Sequence, residues 1–180
     1  SNSGVVATDT TGVGTARSTV AAAGYGSTGQ AIFGYGTTTG DGSGRVSMTN
    51  LVTNVGVVGT DVTGVGTARY GLAAASYGGD KVIFGYGADA LDSGLSLTNL
   101  VNNSGVVAAD VSGVGTARAD IAASGYGGDK AIFGFGYVSS TTSRTAITNL
   151  VSNTGVVASN VTGVGTGRSG LGAAGYSTSA

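Results

Sequence analysis

The chain contains no cysteine, proline, histidine or tryptophan, and all nine of its acidic residues are aspartates. Without cysteine there are no disulfides, no thiolate nucleophile and no Cys-based metal site. Without histidine the commonest metal ligand and the commonest general base are missing. These absences argue against an enzyme, and neither a cofactor nor a metal centre is expected. Charge is scarce too: Asp, Lys and Arg make up 9% of residues and the formal net charge is −1. That balance offers no electrostatic footprint for nucleic acid or an anionic membrane surface. No apolar run approaches the roughly 20 residues that cross a bilayer, so membrane insertion is not expected. The opening stretch, "SNSGVVATDT", has neither the basic region nor the apolar core of a signal peptide. Export would therefore use a signal already removed or another route.

What the chain does have is glycine, 36 residues of it, and regular apolar groups that raise the hydrophobic fraction to 41%. Its 180 residues suffice for one domain with a core, and the regular apolar spacing excludes disorder through excess polarity. The regularity is a repeat. "GVVATDTTGVGTAR" (Gly4–Arg17) returns as "GVVGTDVTGVGTAR" (Gly56–Arg69), "GVVAADVSGVGTAR" (Gly105–Arg118) and "GVVASNVTGVGTGR" (Gly155–Arg168). Successive starts lie 52, 49 and 50 residues apart, a period typical of propeller blades or long solenoid coils.

Within one period four segments read as strands. In the second copy they are "YGLAAASYG" (70–78), "KVIFGYG" (81–87), "LSLTNLV" (95–101) and "GVVAAD" (105–110), each bounded by Gly, Asp, Asn or Ser. The Ala run is too short, and too closely flanked by Gly, to repay helix nucleation. The spacing thus predicts an all-β chain of four-stranded antiparallel meanders. Three complete units span 18–69, 70–118 and 119–168. Partial units, 1–17 and 169–180, flank them with one strand each, the later one being "RSGLGAAGY" (168–176). Three units fall short of the four to eight blades of a closed ring, so exposed edges are expected to pair with other subunits, most simply as a homo-oligomer.

The order R-x-x-x-A-A-x-x-Y-G, D-K-x-I-F-G-Y-G, T-N-L-V, D-x-x-G-x-G-T-A-R resembles the kelch repeat. The resemblance implies a four-stranded propeller blade with a binding face built from loops. Here "GYG" or "GFG" replaces the family's adjacent glycines, and its Trp is missing. Family members include protein-interaction and glycan-associated propellers and a copper oxidase, whose His and Cys ligands have no counterpart here. The Gly-rich "AIFGYG" phrases also resemble repeats of phage tail or particle-associated proteins. That likeness implies a structural or receptor-binding role on a virion or an extracellular surface, with a host glycan or receptor as partner. The alternative is a β-solenoid or fibre-shaft segment, two coils to each period, acting as a filament or spacer.

Several residues invite a chemical reading. Asp9 and Arg17, Asp61 and Arg69, and Asp110 and Arg118 each lie eight apart across "GVG", with Asn160 and Arg168 in the fourth copy. A carboxylate there can cap turn amides or accept an Arg fork. We read these as structural pairs fixing the join between units rather than as a ring of ligand-binding charges, since Asn160 suits hydrogen bonding and not acid–base work. Tyr35, Tyr86 and Phe135 follow Phe33, Phe84 and Phe133 by two positions, which on a strand places both rings on one face. Packing against the next unit outweighs a sugar-stacking ladder. "GYGSTG" at Gly24–Gly29 matches a dinucleotide fingerprint only formally, since no helix follows. Sequons at Asn102 and Asn160 carry little weight in a chain so rich in Asn, Ser and Thr. Variation concentrates in "TTTGDGSGRVSM", "ADALDSGLSL" and "YVSSTTSRTAI", loops where recognition usually resides. The candidate ligand-binding residues are therefore Asp41, Arg45, Asp89, Asp92, Tyr137 and Arg144.

Overall fold

A computed structural model describes residues 8–176, so the outer parts of the two flanking units, 1–7 and 177–180, lie outside the described residues. The architecture is all-β. The Ala-rich run of each complete unit is a strand, each pairs with the aromatic strand after it, and a "TNLV" strand completes the sheet. The first sheet joins β1 (Ala21–Tyr25), β2 (Gln30–Gly34) and β3 (Thr49–Val52). The second joins β4 (Ala73–Tyr77), β5 (Lys81–Gly85) and β6 (Thr98–Val101). The third joins β7 (Ala122–Tyr126) and β8 (Lys130–Gly134) to β11 (Thr148–Val151). Before β11 comes a short hairpin of β9 (Tyr137–Val138) and β10 (Ser143–Arg144). All pairings are antiparallel, and the register is conserved from copy to copy: Ala22, Ala74 and Ala123 oppose Phe33, Phe84 and Phe133.

The fourth segment of each unit does not form the expected ladder strand. It touches its sheet at two isolated bridges, Val52–Val58 and Thr49–Val62 in the first unit, repeated at Val101–Val107 and Thr98–Val111, and at Val151–Val157 and Thr148–Val161. Four residue steps from Val58 to Val62 oppose three from Val52 to Thr49, which makes a bulge. The side chain of Asn50 occupies the gap and donates to the Gly59 carbonyl, as Asn99 does to Ala108 and Asn149 to Ala158. The sheets are therefore three-stranded with a bulged, bridged edge. The later flanking segment, 169–176, is likewise no strand. β1, β4 and β7 are each held by the aromatic strand that follows them, and no described residue supplies that partner to 169–176.

The three sheets stack face to face in chain order around two cores. One core brings Ile32 and Tyr35 of the first unit against Leu72, Val82 and Phe84 of the second. The other brings Ala73, Ile83 and Tyr86 of the second against Ile121, Ala131 and Phe133 of the third. The middle sheet is covered on both sides, so β5 is buried from Val82 to Gly85, whereas β2 and β8 each leave gaps in that pattern.

The two aromatic registers do not share a face. Phe84 packs edge-on to Tyr35 of the preceding unit, at 5.2 Å between centroids, whereas Tyr86 packs on Phe133 of the following one, at 5.1 Å. The reason lies in the backbone. Tyr35, Tyr86 and Phe135 adopt left-handed φ of 62°, 64° and 64°, which breaks the strand alternation and turns the second ring to the opposite side. A single aromatic phrase thereby serves two joins. Gly34 and Gly85 make the close approach possible: a Cβ at Gly85 would lie 2.6 Å from the Phe133 ring, and one at Gly34 2.8 Å from Phe84.

Candidate functional site

The arginine of each "GVGTAR" phrase sits in the connection leading from one sheet into the next. Arg69 is fully buried. Its Nε donates to the Tyr86 carbonyl (2.8 Å), its Nη1 to the Thr67 carbonyl (3.1 Å) and its Nη2 to Asn99 Oδ1 (2.7 Å). The guanidinium also lies over the Tyr35 ring, 4.3 Å from its centroid, a cation–π contact that strengthens when water is excluded. Asn99 passes the connection on, donating to Asp110 Oδ1 at 2.9 Å. Asp110 Oδ2 in turn accepts the Thr67 amide (3.0 Å) and hydroxyl (2.7 Å). The circuit closes: Thr67, Asp110, Asn99 and Arg69 hold one another while gripping two units at once.

The same clamp recurs in front of the other two sheets. Arg17 donates to the Tyr35 and Met48 carbonyls and to Asn50, Asn50 donates to Asp61, and Asp61 accepts from Thr15. Arg118 donates to the Ile147 carbonyl and to Asn149, and lies 4.7 Å from the Tyr86 ring centroid. In this third clamp Asn160 replaces the acid. Its Oδ1 accepts the Thr116 amide, and its Nδ2 donates to the Thr116 hydroxyl, which now acts as acceptor.

The acid–base partners therefore differ from the eight-residue pairs expected from the sequence. Asp61 faces Arg17 rather than Arg69, and Asp110 faces Arg69 (3.8 Å) rather than Arg118. The "GVG" turn carries the chain forward to the next sheet, so neighbours in sequence part company and each acid meets the arginine of the copy before it. Asp9 is exposed, and Arg168 is exposed above the Phe135 ring. Burial opposes ionisation of Asp110, but hydrogen bonds from Thr67 and Asn99 and the charge of Arg69 outweigh it and hold its pKa below the ordinary value. Asp61 is held low chiefly by Thr15 and Asn50. Tyr35 moves the other way, pushed up to about 12 by burial, with Arg69 opposing.

The six loop candidates are occupied largely with local order. Asp41 accepts the Ser43 amide and hydroxyl, which draws its pKa down to about 2. Asp89 caps its own turn through the amides of Leu91 and Ser93. Arg45 and Asp92 meet across two units in an ion pair, with the Arg45 guanidinium over Tyr70 and the Tyr70 hydroxyl donating to Asp92. Tyr137 and Arg144 pair in the β9–β10 hairpin, and Arg144 Nε donates to Ser169. A second lateral tie runs from the Gly94 amide to Ser139, and these loops border an open groove of about 340 Å³ lined by Asp92, Ser93 and Ser140. Lys81 and Lys130 pair with the preceding aspartates, Asp80 and Asp129. Among the described residues no group of three or more Asp side chains converges as a metal cage would require.

Sequence reasoning missed the buried asparagines, Asn50, Asn99 and Asn149, and the threonines Thr15, Thr67 and Thr116. The signal was present: "TNL" and "GVGT" recur in register, and an unvarying Asn amid apolar strand residues implies a buried hydrogen-bonding task. Comparison of the chain with protein-family models and with curated proteins finds no match in either.

Proposed function

We propose that the chain is a non-catalytic structural repeat protein, its sheets serving as kelch-like propeller blades in a virion or cell-surface assembly. On this reading the loop edge contacts a host glycan or receptor. The observation that carries it is the use made of the chemically capable side chains. The buried arginines and the acids of the clamps are spent on holding one unit to the next, and the loop acids on capping turns or crossing units. None is held free and desolvated as a general acid or base must be. The variable loops, tied laterally on a repeated frame, make a surface that can change its ligand while the frame stays fixed.

A glycan-array experiment with the purified chain tests this, reading retention and product release together. Retention without release supports a binding component. Release of shortened glycan overturns the non-catalytic reading, and neither signal narrows it to a purely structural part.

The fibre-shaft reading keeps one observation in its favour: the first sheet packs on the second and the second on the third, β1 against β4 and β4 against β7. Solution scattering separates the two, a disc for blades and a rod for a shaft.

A further inference from the structure

At the two joins, a phenylalanine of one sheet enters a hollow in the sheet before it. Phe84 sits above Gly34 beside Tyr35, and Phe133 sits above Gly85 beside Tyr86; both phenylalanines are fully buried. Among the described residues, the first and third sheets carry the two halves of this contact unmatched. On the first sheet, Phe33 stands in the same register but is 39% exposed. It borders a hollow with Val13, Arg17 and Val20. On the third sheet Gly134 is buried but carries no ring above it: a Cβ there would meet only Thr148, at 3.2 Å. A cavity of about 250 Å³ lies at this point, lined by Ile132, Gly134, Phe135, Thr148, Leu171 and Ala173 among others. These lining residues correspond to Ile32, Gly34, Tyr35, Thr49 and Leu72 of the first join. Ile132 and Phe135 are only half-buried, whereas Ile32 and Tyr35 are fully buried.

From this complementarity we infer that the Gly134 cavity is a docking site for Phe33 of a second copy of this chain. The contact is head-to-tail and repeats the geometry of the internal joins. It rests on the assembly reading above and names the surface that reading requires. The chain's own joins identify the occupant, since the ring they place over this glycine is a Phe from a sheet of the same pattern, preceded in the chain by its Arg clamp. Arg168 is already over Phe135, as Arg69 is over Tyr35. The incoming copy brings its own β1 to the place that 171–174 now covers, so that segment must lift. It is held lightly: Gly170 donates to the Asp120 carbonyl and Ser169 accepts from Arg144, while most of 169–176 is exposed and no residue of it pairs as a strand. Because the two contacting surfaces differ, the association is heterologous, and it extends until a ring closes or a filament forms.

The test uses sedimentation of the full chain and two variants, Phe33→Ala and Gly134→Ala. The wild type is expected to shift from 17.1 kDa to at least about twice that mass, with a dissociation constant on the order of micromolar. Phe33→Ala removes the ring, and Gly134→Ala puts a methyl into the hollow, where its one close neighbour in the chain is Thr148 Cγ2 at 3.2 Å. Each variant alone is expected to stay at the single-chain mass while keeping a cooperative circular-dichroism melt, Phe33 being 39% exposed and a methyl at Gly134 meeting only Thr148. Mixing the two restores one join, because each supplies the half that the other lacks, and a 1:1 dimer appears. A wild type that stays monomeric overturns the inference. So do variants that associate as the wild type does, and so does a mixture that fails to pair. Glycan retention by a monomeric wild type would leave the functional reading standing while this inference fell.

Discussion

The internal joins and the outer faces of the stack are built from the same phrase, yet they differ in what covers it. Phe84, Phe133, Arg69 and Arg118 are fully buried, while Phe33 and Arg168 lie open and Arg17 is half-covered. Burial here is not a property of residue type. It is conferred by the neighbouring copy, as expected of proteins whose stability is a sum of unit terms and nearest-neighbour terms. Identical substitutions should therefore have unequal effects according to position, and that inequality can be measured.

The largest gap should appear at phenylalanine. Phe133→Ala is expected to cost about 3–5 kcal/mol by denaturant unfolding, through lost burial and a cavity. Phe33→Ala should cost about 1 kcal/mol, since its ring keeps part of its exposure in the folded chain. Equal losses would mean that the end faces are not open in solution. Arginine comes next. Arg69→Ala strands the buried Tyr86 carbonyl and Asn99 side chain, an expected loss of about 2–4 kcal/mol. Arg168→Ala should stay within about 0.5 kcal/mol. Gly85→Ala drives a methyl into the Phe133 ring and should cost about 1–3 kcal/mol, more than Gly134→Ala, whose methyl meets only Thr148 at 3.2 Å. A tolerated Gly85→Ala would show that the sheets can separate without penalty.

The smallest effect concerns acid. Asp61 and Asp110 have folded pKa values below the ordinary 3.8. Their contribution is therefore complete above the unfolded pKa and disappears as pH falls through the folded one. The clamp built on Asn160 has no such titration. Replacing both acids in a double variant, Asp61→Asn with Asp110→Asn, should flatten the fall of melting temperature between about pH 4 and pH 2. Some slope remains because Asp41, Asp80 and Asp129 are also held low. An unchanged slope would remove the clamp acids from the acid response.

The all-β class was legible because the 50-residue pattern repeats, and repetition averages out the ambiguity of any one short segment. "YGLAAASYG" was readable as a strand against the helical propensity of alanine, since β4 needs small residues where it lies against its neighbours. Two features escaped. Tyr86 was placed on the face of Phe84 because a tyrosine with positive φ is uncommon and nothing local announces it; only the ring across the join accounts for it. Asp61 was matched to Arg69 because eight residues across a glycine turn suggest proximity. The chain instead crosses to the next sheet within those eight, and no pattern inside one copy reveals the crossing. The loop residues were found as variable positions. Their capping and cross-unit ties were invisible because Asp92 acquires its partner, Arg45, from another copy.

Arg69 stands on Tyr35 behind it and bonds to Asn99 ahead of it, and Arg118 repeats this with Tyr86 behind and Asn149 ahead. Duplicating or deleting one whole period at the level of the gene would leave every surviving clamp with a full set of partners. The coding sequence can thus act as a ruler, lengthening or shortening the object in whole steps without inventing a new contact.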